Sequence, residues 1–347
     1  MAIRDRRFVK TVTLCISLST IGGGAGNAHA ADIGDASWKL VQIAAIKEGR
    51  VILLGNPVPA VLARLKADFD KSNPGIVLEY TRISAPPQLL SKADQDRLTG
   101  ADGADVVLTA GERPWFEERA KNGQLRKPSG PASRNFPAAF MIGGMAPILA
   151  LEPLLIAYNT NLVKTPVTSY ADLLRPEFKG RMGTAAISGG LITAWYDWLE
   201  KTQGADFLEK FAAQSPKIYA GAVPNTQAVA SGEIAATAFS NPSTSRPIME
   251  LGAPIQVLKP NPAFGISYGG AIVAWAKRPN AAAVFMDYLM SPRGQATWSG
   301  GGDSASVLPG IPGSMDAKTI NPVDPVPYTP EVVKAYIQKW EKLLPPR

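Results

Sequence analysis

Histidine and cysteine are almost missing from this chain of 347 residues: it holds one of each, Cys15 and His29, and both stand within the first thirty positions. Beyond that stretch there is neither. Such a chain has no Ser-His-Asp triad, no cysteine nucleophile and no histidine-ligated zinc or copper. It forms no disulfides, so its stability comes from core burial. Charge is sparse as well, 19% of residues against 46% hydrophobic, which places the chain with globular proteins rather than disordered ones. The length suits about two domains of ordinary size.

Other absences narrow the chemistry further. There is no S-x-x-K, no Walker P-loop and no EF-hand loop. Gly265-Ile266-Ser267-Tyr268-Gly269 matches the G-x-S-x-G nucleophile elbow of hydrolases, but an elbow serine needs a downstream histidine base, and none follows it. Carboxylate pairs such as Asp94/Asp96, Asp102/Asp105 and Glu117/Glu118 lie in polar stretches and read as solvated surface, although carboxylates alone can run glycoside hydrolysis.

The first thirty residues read as an export signal. Arg4, Arg6, Arg7 and Lys10 form a basic start, Phe8 to Ile21 is apolar, and Ala28-His29-Ala30 offers small residues for cleavage after Ala30. The apolar run is interrupted by Thr and Ser and ends at Gly22-Gly23-Gly24, short of the ~20 residues that span a bilayer. Cys15 sits too early in that run for a lipid anchor, and Arg6-Arg7 leaves twin-arginine export open beside the general route. Removing the leader's four basic and one acidic residues from 36 and 29 leaves 32 against 28, so the net charge falls from +7 to +4. No Lys/Arg-rich run with interleaved aromatics remains, and nucleic acid is not an expected partner.

From Arg50 the pattern is regular. Val51 to Leu54 is a short apolar run suited to a buried parallel strand, and Pro57 to Lys71 carries Val61, Leu62, Leu65 and Phe69 at helical spacing before the stop at Asn73-Pro74-Gly75. Strand 76–80, helix 88–98, strand 105–108 and a helix holding Trp115 and Phe116 continue the alternation, which implies a parallel α/β unit. Residues 140–158 read as strands leading out of that unit. A second series follows: strand 182–185, helix 191–201, helix 205–213, strand 218–220, strand 234–239, strand 255–258, strand 270–276, helix 281–290 and a closing helix 332–344. Pro224 to Gln227 reads as a loop opening a short helix, and 321–330 as an extended Pro-rich stretch.

Two α/β units in series set strand-to-helix loops at the carboxyl ends of two sheets, where open α/β folds bind ligands. Ser84, Thr109, Gly111, Ser188, Gly189, Gly190, Asn225, Thr226, Asn241 and Ser267 occupy such loops. Each alone would pass as a cap or turn residue. Their concentration across successive loops points to an anion held at helix N-termini. Arg82, Arg113 and Arg246 are candidate bidentate clamps, Glu112 suits an amine-bearing ligand or caps the helix after it, and Tyr268 could stack on a ring. Trp195, Tyr196 and Trp198 share one helix; the spacing of Leu191, Trp195, Trp198 and Leu199 favours core packing for the Trp pair.

At this point the chain resembles the solute-binding proteins of ATP-binding cassette importers, in the branch with ferric-iron, thiamine and phosphonate binders. Leu155-Ile-Ala-Tyr-Asn-Thr-Asn-Leu-Val163, Ser169-Tyr-Ala-Asp-Leu-Leu174 and Pro176-Glu-Phe-Lys-Gly-Arg-Met182 carry the likeness, with Gly232 to Ala235 and Ala281 to Leu289 behind them. The resemblance implies a two-lobed α/β fold with crossing strands, a ligand trapped between the lobes by hinge closure, and delivery to an inner-membrane permease, without chemistry on the ligand. It departs from the ferric binders, which use a neighbouring tyrosine pair: Tyr268 is followed by Gly269.

The expectation is therefore a monomeric periplasmic solute-binding protein, with no cofactor and no resident metal, taking a small polar or anionic metabolite such as an amino, phosphonate or aromatic acid. Residues 1–30 form the signal, 31–150 the first lobe, 151–268 the second, and 269–347 the return to the first. Tyr268 and the Ser188 to Gly190 loop are expected to touch ligand from opposite sides. A ferric-ion shuttle and a carboxylate-based hydrolase are the rivals.

Overall fold

The computed structural model describes residues 25–187, 189–322 and 327–343. The signal expected at 1–30 lies outside the described residues up to position 24. In chain order the elements are α1 (Ala25–Glu48), β1 (Arg50–Gly55), α2 (Pro59–Ser72), β2 (Val77–Arg82), α3 (Pro86–Thr99), β3 (Val106–Ala110), α4 (Arg113–Lys121), β4 (Leu125–Arg126), α5 (Pro131–Arg134), β5 (Met141–Ile142), β6 (Ala146–Pro153) and β7 (Leu155–Asn159). Then come β8 (Met182–Ala185), α6 (Gly190–Gln203), α7 (Phe207–Ala213), β9 (Lys217–Tyr219), α8 (Ala222–Ser231), β10 (Ala236–Ser240), α9 (Pro242–Glu250), β11 (Ile255–Leu258), β12 (Ala263–Val273), α10 (Pro279–Met290), α11 (Pro292–Ser299), β13 (Ile320–Pro322) and α12 (Pro330–Glu341).

Two sheets result. The first runs β2-β1-β3-β12-β6-β5, with β4 and β13 added alongside β12, and the second runs β11-β7-β10-β8-β9. In the first, β1 pairs in parallel with β2 and β3. Every residue of β3 is buried, the sign of a parallel strand covered on both faces. Helix α2 lays Val61, Leu62, Leu65 and Phe69 against that sheet, one apolar stripe at helical spacing. Phe69 meets the ring of Phe285 on α10 edge-on at 5.0 Å.

The lobes are joined where β6 turns into β7 through Leu154 and where β11 leads into β12. These crossings touch, since Leu154 N–H donates to the Phe264 carbonyl at 2.9 Å. A third link is the tail. β13 pairs with β12 in the first sheet, whereas α12 docks on α6 of the second lobe: the Tyr336 hydroxyl donates to Asp197 at 2.6 Å, Lys339 pairs with Glu200 at 2.9 Å and Trp340 stacks on Tyr196.

Several segments differ from the sequence reading. Ser267 and Tyr268 stand inside β12, paired with Leu151 and Ala150 of β6 rather than in a loop, so position 268, where the second lobe was expected to end, falls mid-strand. Pro224 to Gln227 lies inside α8. Helices α1, α9 and α11 were not anticipated, and 321–322 belong to β13. The core packing expected for Trp195 and Trp198 is found, since both are buried, and Tyr196 between them is fully buried as well.

Candidate functional site

The strands end facing one another, and their carboxyl-terminal loops enclose a cleft of about 320 Å³ between the lobes, at the low end for small-molecule sites. From the first lobe come Asn56 and Val58 after β1, Arg82 at the end of β2 with Ser84 to Pro87 beyond it, Ala110 at the end of β3 with Glu112 beyond it, and Ile266 and Tyr268 of β12. From the second come Gly189, Leu191 and Ile192 at α6, Ala220 to Pro224 at α8, Phe239 of β10 and Asn241 after it. The walls are largely apolar and polar groups are few, the usual build of an organic-ligand pocket.

Arg82 is half-buried. Its Nε donates to the Pro57 carbonyl at 2.8 Å and its Nη1 to Ser84 Oγ at 2.7 Å, which fixes the guanidinium. No carboxylate pairs with it among the described residues, and burial pulls its pKa down while the negative form of Tyr268 would raise it. A guanidinium held by neutral acceptors keeps its charge available to an incoming anion. Asn56 acts similarly: its Oδ1 is used by the Ala110 N–H at 3.1 Å, leaving its amide donors toward the cleft.

Opposite, Gly189 and Gly221 are the N-cap residues of α6 and α8, and neither makes a side-chain capping bond. Among the described residues nothing accepts a hydrogen bond from their first N–H groups, in a cleft both helices line, and an uncapped helix N-terminus carries the positive end of the helix dipole. Glu112 is the lining carboxylate. Burial pushes it up to about 7, and it does not cap α4.

Beneath the floor, Glu152 of β6 joins residues from both lobes. Its carboxylate accepts from Tyr268 Oη and Asn241 Nδ2, both at 3.1 Å, and from the backbone N–H and hydroxyl of Ser243. Burial raises Glu152 to about 7 against those hydrogen bonds, which favour its charged form. Tyr268 is pushed up by its own burial and by the neighbouring carboxylate. A tyrosine so placed resists deprotonation, which ferric ligation requires. Among the described residues no group of three His, Cys, Asp or Glu is placed to hold a metal ion.

The structure brings Arg82, Ser84, Gly189, Asn241 and Tyr268 to the cleft. Gly111 stands just behind: at φ +67° a Cβ on it would meet Leu191 of the other lobe at 2.9 Å, so glycine here permits the lobes' approach. Other candidates are placed elsewhere. Thr109 is fully buried in β3, and Gly190 packs against Tyr328. Ser267 uses its carbonyl for the Gly111 N–H. Asn225 and Thr226 are fully buried in α8, where Asn225 bonds Thr184 and Thr237 and Thr226 bonds Ser240. Arg246 is held by Asp303 at 2.7 Å and Glu250 at 2.9 Å. Arg113 pairs with Glu117 at 2.8 Å. Ser188 lies outside the described residues. Sequence reasoning missed Asn56 and the Ala220 to Pro224 segment; Asn56 was legible as the polar residue ending the first apolar strand.

A family model described as bacterial extracellular solute-binding protein matches residues 51–302. A comparison with curated protein sequences gives no match. Among solved structures, the substrate-binding protein of an ABC transporter from Agrobacterium tumefaciens has a TM-score of 0.76 at 16% identity, covering 86% of this chain and 96% of its own. The periplasmic binding protein AfuA of Actinobacillus pleuropneumoniae, with exogenous fructose-6-phosphate bound, gives 0.69 at 16%, covering 85% and 98%. Iron-bound HitA of Pseudomonas aeruginosa gives 0.66 at 19%, covering 85% and 99%.

Proposed function

Since the chain belongs to the bacterial extracellular solute-binding proteins, we propose that it captures an organic anion with an apolar body in the interlobe cleft and hands it, in the periplasm, to the permease of an ABC importer. The observation that carries this reading is Arg82, a fixed guanidinium with no carboxylate partner among the described residues, set in the same apolar cleft as the Gly-capped starts of α6 and α8. An anion on Arg82 is reached by the second lobe's N–H groups only when the lobes approach, so the ligand favours the closed state by its differential contacts there. No chemistry on the ligand is needed. The engagement of the Tyr268 hydroxyl with Glu152 weighs against a ferric cargo.

Thermal unfolding of residues 31–347 with carboxylates, phosphonates, phosphate esters, amines, sugars and ferric complexes tests this. A ligand at ~100 times its dissociation constant adds ~2.7 kcal/mol, several degrees in the midpoint. Anions are expected to shift the midpoint and to be recovered unchanged. Turnover of the shifting compound, or shifts confined to uncharged sugars or ferric complexes, would sink the proposal.

A further inference from the structure

Glu112 is the lining group whose charge runs against an anion receptor. It stands at the turn from β3 into α4 and makes no capping bond. Its Oε1 lies 3.9 Å from where a Cβ on Gly189 would sit, so it faces the second lobe across the cleft. Among the described residues no cation or hydrogen-bond donor reaches its carboxylate. Arg82 is tied to Pro57 and Ser84, and Arg113 to Glu117. A half-buried carboxylate without a partner is costly, and an anionic ligand beside it adds repulsion. A ligand that brings its own cation removes both penalties.

Resting on the anion-binding reading above, we infer that the solute is an amine-bearing organic anion: Glu112 takes its ammonium group, Arg82 and the starts of α6 and α8 take its anionic group, and its carbon chain lies along Leu191 and Phe239. Glu112 is then the specificity residue that separates such zwitterions from simple anions. Burial holds its free carboxyl up at about 7; an ammonium beside it favours the ionised form, so binding releases a proton near neutrality. The other titratable or charged groups in the lining are Arg82 of β2 and Tyr268 of β12, whereas α6 and α8 line the cleft with uncharged residues. Neither of those two changes charge between pH 6 and 8, because the arginine titrates far above that range and Tyr268 is pushed up by burial.

Calorimetric titration of residues 31–347 with matched probes tests the inference: 4-aminobutyrate against butyrate, 5-aminovalerate against pentanoate, and 2-aminoethyl phosphate against ethyl phosphate. In at least one pair the aminated member is expected to bind ten-fold or more tightly. That preference should grow from pH 6 to pH 8 and disappear in Glu112→Gln, with the variant's unfolding midpoint retained. Equal affinity within every pair, or a preference that persists in Glu112→Gln, overturns the inference. If the unaminated anions bind and Arg82→Gln abolishes their binding, the anion reading stands while the amine assignment falls. If no member of any pair binds, both fall.

Discussion

Arg82 and Glu112 face one cleft with opposite charge, and neither belongs to the hydrophobic core. Arg82→Gln should therefore weaken anion binding by about ten- to a hundred-fold, the worth of a charged hydrogen bond, with little change in unfolding midpoint; titration calorimetry beside a melting curve checks both. For Glu112 the sign of the pH effect is fixed by its raised value. Between its ordinary 4.5 and about 7 the unfolded chain has lost a proton the folded chain keeps, so stability falls as pH rises through that window and the penalty is constant above it. At 1.36 kcal/mol per unit the loss is at most about 3 kcal/mol. Glu112→Gln should flatten the decline between pH 5 and pH 8 in denaturant titrations, leaving the share due to Glu152, which runs the same way. At this scale the sequence was only partly legible. Arg82, Ser84 and Glu112 sit at or just after the ends of strands, where local pattern points. Arg246 looked equally available until the fold brought Asp303, 57 residues away, onto its guanidinium. Arg246→Ala is expected to cost about 1 to 3 kcal/mol in chemical denaturation, because Asp303, a buried carboxylate, is left with Arg64 alone as its guanidinium partner.

Among the elements, the turn from β3 to α4 brings the first lobe against Leu191 of the second. Gly111→Ala sets a methyl group against Leu191 and strains a left-handed backbone. The expected outcome is a weaker ligand affinity, by ten-fold or more, joined to a larger ligand-bound radius of gyration in X-ray scattering. Repulsion at this contact holds the lobes apart where a cleft substitution such as Arg82→Gln leaves the contact intact. The strands and helices that sequence pattern revealed are those whose own residues make the apolar stripe, such as β1, β3 and α2. Those it missed are set by their neighbours. Helix α9 carries Pro247 internally and opens on Pro242-Ser243-Thr244-Ser245 with no apolar stripe, yet Asn241 caps it and Glu152 anchors its start. Helix α8 was obscured by Pro224-Asn225, a turn signal in isolation, although Asn225 points inward to Thr184 and Thr237. Tyr268 looked like a loop residue beside Ser267 and Gly269 because nothing local announces its pairing with β3 and β6.

For the molecule as a whole, three links join the lobes among the described residues, and the tail is one of them. Trp340 is 1% exposed and stacked on Tyr196 of the second lobe. Trp340→Ala should cost about 3 to 5 kcal/mol and lower the thermal midpoint by at least ~5 °C; an unchanged midpoint in calorimetry would show that α12 adds nothing to that lobe. The two-lobed class was legible from the alternating strands and helices, whereas the tail's crossing was not. The amphipathic pattern of 332–344 tells that a helix buries one face but not which surface receives it.

The position of β12 has a consequence for how the chain comes to be folded at all. β12 lies between β3 and β6, so every strand made before residue 263 waits with two unpaired central edges. The final helix arrives later still. A polypeptide emerging amino-end first thus spends most of its synthesis unable to finish its first sheet, a contact order that slows commitment to the native state. Such a delay leaves strand edges exposed until the last segments are made, and unpaired edges are open to pairing with another chain.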